Sequence, residues 1–373
     1  MTENPAARDV IYLASCAVNG QVPDRSKLEN MDPDRVLAFA TGHMLTAAVS
    51  FALESAGLGD GRTRDAVASS QRKAVLFRAA LEGIKKELDR AGIWYMPLKG
   101  AVLQGMYPKF GMREFSDNDV LFDAARAGDV RGIMEKLGFT TEHYAVNNHD
   151  VYVKPPYLSF EMHRSLFKPA QGEELCEYYK NVEGRLAGEG CEKHFTPEDC
   201  YVYLLAHEHK HYSEEGTGLR SLLDTYVFLK NNTLDMDYVA AETEKLGLGE
   251  FERRNRSLAL NLFGGGELTD EDLEMLDYFL MSGTFGTVGN KVAHKMSKEG
   301  WGRLRYALKR VAVPISPKNE EYAKAAETFP LFYKHKILLP FLPAYKVCRA
   351  IKSGRFREEA KAIKNAKNPA RRK

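Results

Sequence analysis

The sequence predicts an α+β fold: a small mixed β-sheet with flanking helices, embedded in a largely helical chain. Three observations support this prediction. Apolar residues recur at helical spacing through residues 1–90, and they do so again from residue 196 onward. Between these regions, residues 93–165 contain short apolar runs with aromatic residues, which are typical of strands. The 373 residues are enough to build a sizeable buried core.

The first helical stretch and the strands that follow have recognisable boundaries. Asp32-Pro33 starts a helix whose apolar positions continue to Leu53, and a second helix over residues 63–90 ends at Gly92. The five predicted strands lie at residues 93–98, 119–122, 139–144, 151–154 and 158–163. Two shorter helices are predicted among them, at residues 101–107 and 124–137. Together these elements make residues 93–165 an α/β island.

The remainder of the chain is predicted to be helical. Thr196-Pro197 is a helix start with proline at the first helical position. The predicted helices lie at residues 197–212, 218–230, 237–246, 269–280, 301–311 and 319–328. Residues 329–343 contain three prolines among large apolar residues and are predicted to form an irregular packed segment. We divide the chain into a helical region (1–90), an α/β core (91–195), a helical domain (196–345) and a tail (346–373).

Composition excludes several classes of protein. Five cysteines at wide spacing, with no C-x-x-C, argue against a disulfide framework or a cysteine zinc cluster. We expect a cytoplasmic protein with no signal peptide and no transmembrane segment. Residues 346–373 contain eleven Lys and Arg but two Glu, a net charge of +9, so residues 1–345 carry −7 of the total of +2. Such a tail can contact nucleic acid or an anionic surface, although a solvated helical terminus is the favoured interpretation.

The residues that point to chemistry are carboxylates. Asp117-Asn118-Asp119 stands at the start of the strand Val120-Leu121-Phe122, and residues i and i+2 of a strand project from one face. Glu161 lies in another predicted strand and could supply a third carboxylate. Hard oxygen ligands of this kind suit Mg²⁺ (or Mn²⁺) together with substrate phosphates. Asp117, Asp119 and Glu161 are therefore candidate metal ligands and catalytic residues.

The D-x-D pattern alone is a weak signal. It also occurs at Asp32/Asp34, Asp235/Asp237 and Asp270/Asp272, where helix capping explains it. The pair at Asp117 differs because Lys99-Gly100 precedes it at a strand-to-helix turn. A glycine there lets backbone N–H groups approach a phosphate, and Lys99 could add a charge. Arg113 could bind phosphate in the same way or form a salt bridge with Glu114 or Asp117, and the sequence leaves both alternatives open.

These residues are similar to those of a known family. Leu98-Lys99-Gly100, Tyr107, Arg113, Asp117-Asn118-Asp119, Gly138-Phe139 and Phe160-Glu161-Met162-His163 resemble the bacterial family called uncharacterised nucleotidyltransferases. That family belongs to the DNA polymerase β-like nucleotidyltransferase superfamily. The similarity continues through Pro197-Glu198-Asp199, His207, Lys210-His211, Leu219-Arg220 and Leu223-Asp224. The superfamily usually has Gly-Ser at the phosphate turn, whereas this chain has Lys99-Gly100.

The resemblance implies a mechanism and a set of substrates. Asp117 and Asp119 would hold Mg²⁺ against a nucleoside triphosphate, with ATP favoured, and Glu161 would help to position the metal that activates an acceptor hydroxyl. A nucleoside monophosphate would be transferred and pyrophosphate released. Lys99, Gly100, Arg113, His163, His207, Lys210 and His211 would line the nucleotide cleft. Arg220 and Asp224 would brace the helical part against it. The acceptor stays open among a small molecule, a peptide or protein, a sugar and RNA.

A rival motif points to a different class of enzyme. Residues 207–211 read His-Glu-His-Lys-His and satisfy H-E-x-x-H, in which His207 and His211 would bind zinc and Glu208 would act as the base of a metallopeptidase. Lys210 places a cation between the two ligands, which argues against zinc. The resemblance favours a nucleotide contact, and a polar helix end remains the simplest interpretation. A third hypothesis is a non-catalytic nucleotide-binding protein, against which the complete Asp/Asp/Glu set argues.

Overall fold

The computed structural model describes residues 4–168, 172–214, 216–283 and 329–352, together with residues 305, 308, 312–314, 322, 325 and 326. The backbone divides into two compact units. One comprises Met1–Lys210 with Thr217–Thr284, and the other comprises His211–Gly216 with Phe285–Lys373. The first unit contains the predicted α/β island and the helices around it. The predicted helices at residues 301–311 and 319–328 lie almost wholly outside the described residues.

The N-terminal region is helical, as the sequence predicts. Its helices are α1 (Pro5–Asn19), α2 (Pro33–Gly42), α3 (Thr46–Ser55) and α4 (Gly61–Ala91). The prediction of one continuous helix from Pro33 to Leu53 is wrong. The chain turns between α2 and α3, where Met44 has a φ of 51°. A residue in this left-handed region cannot continue a right-handed α-helix, so α2 ends here. The apolar pattern nevertheless continues across the break, and periodicity alone therefore does not reveal it.

The 31-residue helix α4 has a clear signal at each end. The Asp60 side chain accepts from the backbone N–H groups of Arg62 and Thr63, and the Thr63 side chain completes a capping box. Gly92, with a φ of 62°, ends the helix in the left-handed conformation that glycine adopts at little energetic cost. The helix therefore begins and ends close to the predicted positions, and it delivers the chain directly into the first strand.

Five strands form one mixed sheet. They are β1 (Tyr95–Pro97), β2 (Asn118–Phe122), β3 (Thr140–His143), β4 (His149–Lys154) and β5 (Leu158–His163). The spatial order is β1-β2-β5-β4-β3. The central pair, β2 and β5, is parallel, and all other neighbours are antiparallel. The predicted small mixed sheet is thereby confirmed, with α5 (Gly100–Leu103) and α6 (Ala127–Lys136) connecting its strands.

The two faces of the sheet are buried against different layers. On one face Val120, Phe122 and Phe160 pack with residues of α4 and α6, and the rings of Phe77 and Phe160 are 5.8 Å apart. On the other face Met96 and Leu121 belong to a second apolar cluster with Tyr203. The alternation of side chains along β2 thus places Val120 and Phe122 on a back face, and Asp119 and Leu121 on the opposite, front face.

Helices follow the sheet through the rest of the first unit. They are α7 (Glu173–Tyr178), α8 (Pro197–Glu214), α9 (Leu219–Asn231), α10 (Met236–Lys245), α11 (Gly249–Gly264) and α12 (Asp270–Ser282). Helix α11 is not among the helices predicted from the sequence. Asp235 caps α10, and Asp272 belongs to a capping box at the start of α12, so the capping interpretation of these D-x-D pairs is confirmed. Asp32 likewise caps α2.

Residues 330–352, in the described part of the second unit, are helical. They contain α13 (Pro330–Lys334), a 3₁₀-helix over Lys336–Phe341 and α14 (Leu342–Lys352). The expectation of an irregular segment over residues 329–343 is therefore wrong, because Pro330 occupies a first-turn position that a helix tolerates. No helix among the described residues has the length and apolar character needed to cross a lipid bilayer.

Candidate active site

The parallel pairing of β2 with β5 positions the acidic residues. Asp119 is directly opposite Glu161 in the register of the two strands. Side chains at opposed positions of neighbouring strands project from the same face. The side chains of Asp119 and Glu161 therefore project side by side from the front face. The sequence analysis predicted that these two carboxylates share one site. Asp119 is only 3% exposed, so its charge depends on nearby protein groups.

Two nitrogen groups contact the Asp119 carboxylate. Lys99 Nζ lies 2.8 Å from Asp119 Oδ1, and His163 Nε2 lies 2.9 Å from the same oxygen. Burial alone would raise the pKa of Asp119, but Lys99 and His163 outweigh burial and hold that pKa well below its usual range. Asp119 is thus ionised, and the structure joins three residues that the sequence had selected from separate segments.

Glu161 lies between two histidines. Its Oε2 is 3.5 Å from His163 Nε2 and 3.7 Å from His149 Nε2. Burial opposes ionisation of Glu161, yet the bond with His163 lowers its pKa, and the pKa of His163 is raised by Asp119 and Glu161 in spite of burial. Within the described residues, His149, Glu161 and His163 form the one group of at least three possible metal ligands whose donor atoms all lie within 4.8 Å of one another.

Asp117 precedes β2 and is half-buried beside these groups. The Ser116 hydroxyl donates to Asp117 Oδ1 over 2.7 Å. Burial raises the pKa of Asp117, and the negative charge of Asp119 raises it further. Repulsion between two carboxylates in this setting favours a cation that can neutralise both. Lys73 of α4 also interacts electrostatically with Asp117, although burial lowers the pKa of this lysine.

The turn before α5 has an unusual backbone. Lys99 has a φ of 43° and a ψ of −106°, a conformation that strongly favours glycine. Gly100 follows, and a Cβ atom there would lie 2.8 Å from Arg113 Nη1 and 3.2 Å from the Phe115 ring. The close approach of Arg113 thus requires glycine at residue 100. The turn is held under Asp119 by the Lys99 side chain and by the Leu98 N–H, which donates to the Asp119 carbonyl.

Arg113 is bound by a helix that is distant in sequence. Its Nε and Nη2 donate to the two carboxylate oxygens of Asp224 in α9, over 2.8 and 2.9 Å. The Tyr107 hydroxyl donates to Asp224 Oδ1 over 2.7 Å, and Arg220 Nη1 donates to the Glu114 carbonyl. The salt-bridge partner is therefore Asp224 instead of Glu114 or Asp117. This geometry agrees with a bracing contact between α9 and the segment that leads to Asp117.

The H-E-x-x-H segment lies in α8, and its glutamate is committed to the protein interior. Glu208 Oε2 accepts from the Thr225 hydroxyl and from Asn255 Nδ2, over 3.1 and 2.9 Å. Burial raises the pKa of Glu208 to about 7. A carboxyl group held in this way between α9 and α11 is not available as the base of a metallopeptidase. No metal-ligand group of the described residues includes His207 or His211.

Tyr203 and His207 extend the site along α8. The ring centroids of the two residues are 6.3 Å apart. Tyr203 is fully buried, and burial, together with the charges of Asp119 and Glu161, raises the pKa of its hydroxyl well above the usual range. Lys210 and His211 follow on the same helix, and their contact with a nucleotide stays a prediction. His149, Lys73 and Tyr203 are the residues that sequence reasoning missed.

The fold and these contacts define a class of protein. A mixed sheet brings Asp119 and Glu161 together from adjacent parallel strands, with Asp117 just before β2 and the Lys99-Gly100 turn beside them. The family model described as uncharacterised nucleotidyltransferase matches residues 29–264. The chain belongs to this family, and nucleotidyl transfer is the general reaction that the family name indicates. Comparison with curated proteins and with solved structures finds no match.

Proposed function

We propose that the protein transfers a nucleoside monophosphate from a nucleoside triphosphate, with ATP favoured, to an acceptor hydroxyl. Divalent metal ions, Mg²⁺ or Mn²⁺, would be held by Asp117, Asp119 and Glu161. The observation that carries this proposal is the parallel register of Asp119 with Glu161, because it brings carboxylates from distant segments to one face beside Lys99-Gly100.

The donor chemistry of the site suits such ions. The three carboxylates offer hard oxygen ligands. Burial and then repulsion from Asp119 raise the pKa of Asp117, and a divalent cation between the two carboxylates would relieve that repulsion. When bound, the metal ions would polarise the triphosphate and neutralise the charge that develops on the leaving pyrophosphate. His149 adds a nitrogen donor beside Glu161, which Mn²⁺ accepts more readily than Mg²⁺ does.

The chain's own residues would orient the substrate. Lys99 belongs to the turn, and its ammonium group contacts the Asp119 carboxylate. The ammonium group could exchange this contact for a phosphate oxygen of the substrate. His163 contacts both Asp119 and Glu161 and would keep these two carboxylates in position. Arg113 would act indirectly, because its Nε and Nη2 bind Asp224 and fix the segment before Asp117.

A binding experiment tests the metal and nucleotide assignment. Mg²⁺–ATP titrations by calorimetry, and Mn²⁺ titrations by electron paramagnetic resonance, are run on the wild-type protein and on Asp117→Asn/Asp119→Asn. We expect the double variant to lose at least about tenfold in affinity for both ligands, because charge-assisted contacts to the metal are removed. Glu161→Gln should weaken Mn²⁺ binding, both when Mn²⁺ is added alone and when it is added with ATP.

The chain offers a matched control for this experiment. Asp235→Asn/Asp237→Asn changes another D-x-D pair, at the start of α10, where asparagine caps a helix about as well as aspartate. This control should bind both ligands like the wild type. Wild-type affinity in a folded Asp117→Asn/Asp119→Asn protein would show that the assignment is wrong.

A further inference from the structure

Two positively charged side chains near Asp117 have no carboxylate partner. Lys73 of α4 and Arg220 of α9 both interact electrostatically with Asp117, and each lies close enough to the other for repulsion. Among the residues that the structure describes, no carboxylate lies within salt-bridge distance of either side chain, whereas Lys99 pairs with Asp119. Charged groups that are largely removed from water are usually paired. Two neighbouring cations without such partners therefore indicate a place where an anion binds.

Both side chains are anchored to the same short segment of backbone. Lys73 Nζ donates to the Phe115 carbonyl, and Arg220 Nη1 donates to the Glu114 carbonyl over 3.2 Å. These carbonyls belong to consecutive residues, two and three positions before Asp117. The two cationic groups are thus held, from α4 and from α9, beside the segment that leads to Asp117. An ammonium group has three N–H bonds and a guanidinium has five, so donors remain for a ligand.

Other carboxylates near these cations are engaged elsewhere. Glu114 Oε2 accepts from the Ala47 N–H at the start of α3 over 3.2 Å, and burial raises the pKa of Glu114. The two oxygens of Asp224 accept from Nε and Nη2 of Arg113. Neither carboxylate is therefore free to pair with Lys73.

Metal binding would increase the attraction of this place for an anion. Asp117 would be neutralised by the divalent ion that it is proposed to hold, which would leave Lys73 and Arg220 as uncompensated positive charges. Burial lowers the pKa of both side chains, and a bound anion would stabilise their charged forms. Both residues are partly exposed, so a ligand can reach them. The anion that accompanies such a metal ion in this family is the triphosphate.

We propose that Lys73 and Arg220 bind the β- and γ-phosphates of the nucleoside triphosphate, the part that leaves as pyrophosphate. This inference rests on the proposed function, because the metal ions at Asp117 and Asp119 would fix the α-phosphate nearby. An arginine can contact two phosphate oxygens at once, and a lysine supplies a mobile point charge. Cations in this position would also stabilise the negative charge that collects on the departing pyrophosphate.

Calorimetric titrations of the full chain with Mg²⁺–pyrophosphate, Mg²⁺–ATP and AMP test the proposal. Lys73→Met and Arg220→Met should each weaken the binding of pyrophosphate and ATP at least about tenfold, because a charge-assisted contact is lost. AMP lacks the β- and γ-phosphates, so its affinity should not change. Arg220→Lys keeps the charge and should weaken pyrophosphate less than Arg220→Met does. A purely structural role would lower stability in urea without changing the ratio of ATP to AMP affinity.

Arg72→Met is the matched control. Arg72 is the exposed neighbour of Lys73 on α4, and its replacement changes the net charge by the same amount. This variant should bind all three ligands like the wild type.

The proposal is overturned if folded Lys73→Met and Arg220→Met proteins bind Mg²⁺–pyrophosphate with wild-type affinity, a result that would favour an anionic group of the acceptor instead. Equal losses for ATP and AMP would also overturn it. If only the Asp117→Asn/Asp119→Asn protein loses Mg²⁺–ATP, this inference fails and the proposed function stands. If the wild type binds neither Mg²⁺–ATP nor Mg²⁺–pyrophosphate, both fail.

Discussion

The buried pair of Arg113 and Asp224 provides a quantitative test of how the site is held. Arg113 is 6% exposed and Asp224 13%, and two hydrogen bonds of 2.8 and 2.9 Å join them. Arg113→Met leaves the Asp224 carboxylate buried with one remaining donor, Tyr107. Breaking a buried ion pair from one side is destabilising by about 3–5 kcal/mol, whereas replacing both partners with apolar residues is much less so. We expect Arg113→Met/Asp224→Leu to be more stable than Arg113→Met alone.

Urea unfolding followed by tryptophan fluorescence measures these free energies. The chain has two tryptophans, and a Trp301→Phe background leaves Trp94, which packs against the front-face apolar cluster, as the probe. A double-mutant cycle gives the coupling energy between Arg113 and Asp224, which should be a few kcal/mol. Strictly additive effects of the two single changes would refute the argument that the contact braces α9 against the segment before Asp117.

Three further predictions follow from local geometry and charge. Lys99→Gly should be more stable than Lys99→Ala by about 1 kcal/mol in urea unfolding, because glycine relaxes a φ of 43° that alanine retains; the opposite order would contradict this. Gly100→Ala should lower stability by about 1–3 kcal/mol, because its Cβ would meet Arg113, whereas Gly105→Ala, with nothing within 4 Å, should be far milder; equal effects would contradict the close approach. Burial raises the pKa of Glu208 from 4.5 to about 7, because the folded protein favours the neutral carboxyl group. This preference stabilises the fold by about 3 kcal/mol below pH 4.5, and the stabilisation is lost as the pH rises through 7. Unfolding free energies across this range should lose that pH dependence in Glu208→Gln and retain it in the exposed control Glu142→Gln; an unchanged dependence in Glu208→Gln would contradict the assignment.

The sequence predicted the composition of the site better than its contacts. Asp117, Asp119 and Glu161 could be selected because strand alternation and the family resemblance both point to them. The register that places Asp119 opposite Glu161 could not be derived, since nothing in either strand says which strands are neighbours. His149 was missed for the same reason. It pairs with His163 across β4 and β5, and the predicted strand began two residues later at Val151.

Contacts between distant segments were the least predictable part of the molecule. Arg113 and Asp224 are 111 residues apart, and local charge patterns suggested Glu114 or Asp117 as the partner instead. The break at Met44 shows a similar limit within one segment, because apolar periodicity describes the buried face of a helix but not a change in its direction. Helix starts, by contrast, were recognisable where a capping side chain such as Asp235 marked them.

The central claim is that the protein transfers a nucleoside monophosphate, and the position of a radioactive label tests it most directly. The wild-type protein is incubated with Mg²⁺, a cell extract as the source of acceptors, and ATP labelled with ³²P on either the α- or the γ-phosphate. We expect label on an acceptor from α-labelled ATP, none from γ-labelled ATP, and no transfer by Asp117→Asn, while Asp235→Asn transfers like the wild type. Transfer of the γ-label, or undiminished transfer of the α-label by Asp117→Asn, would contradict it.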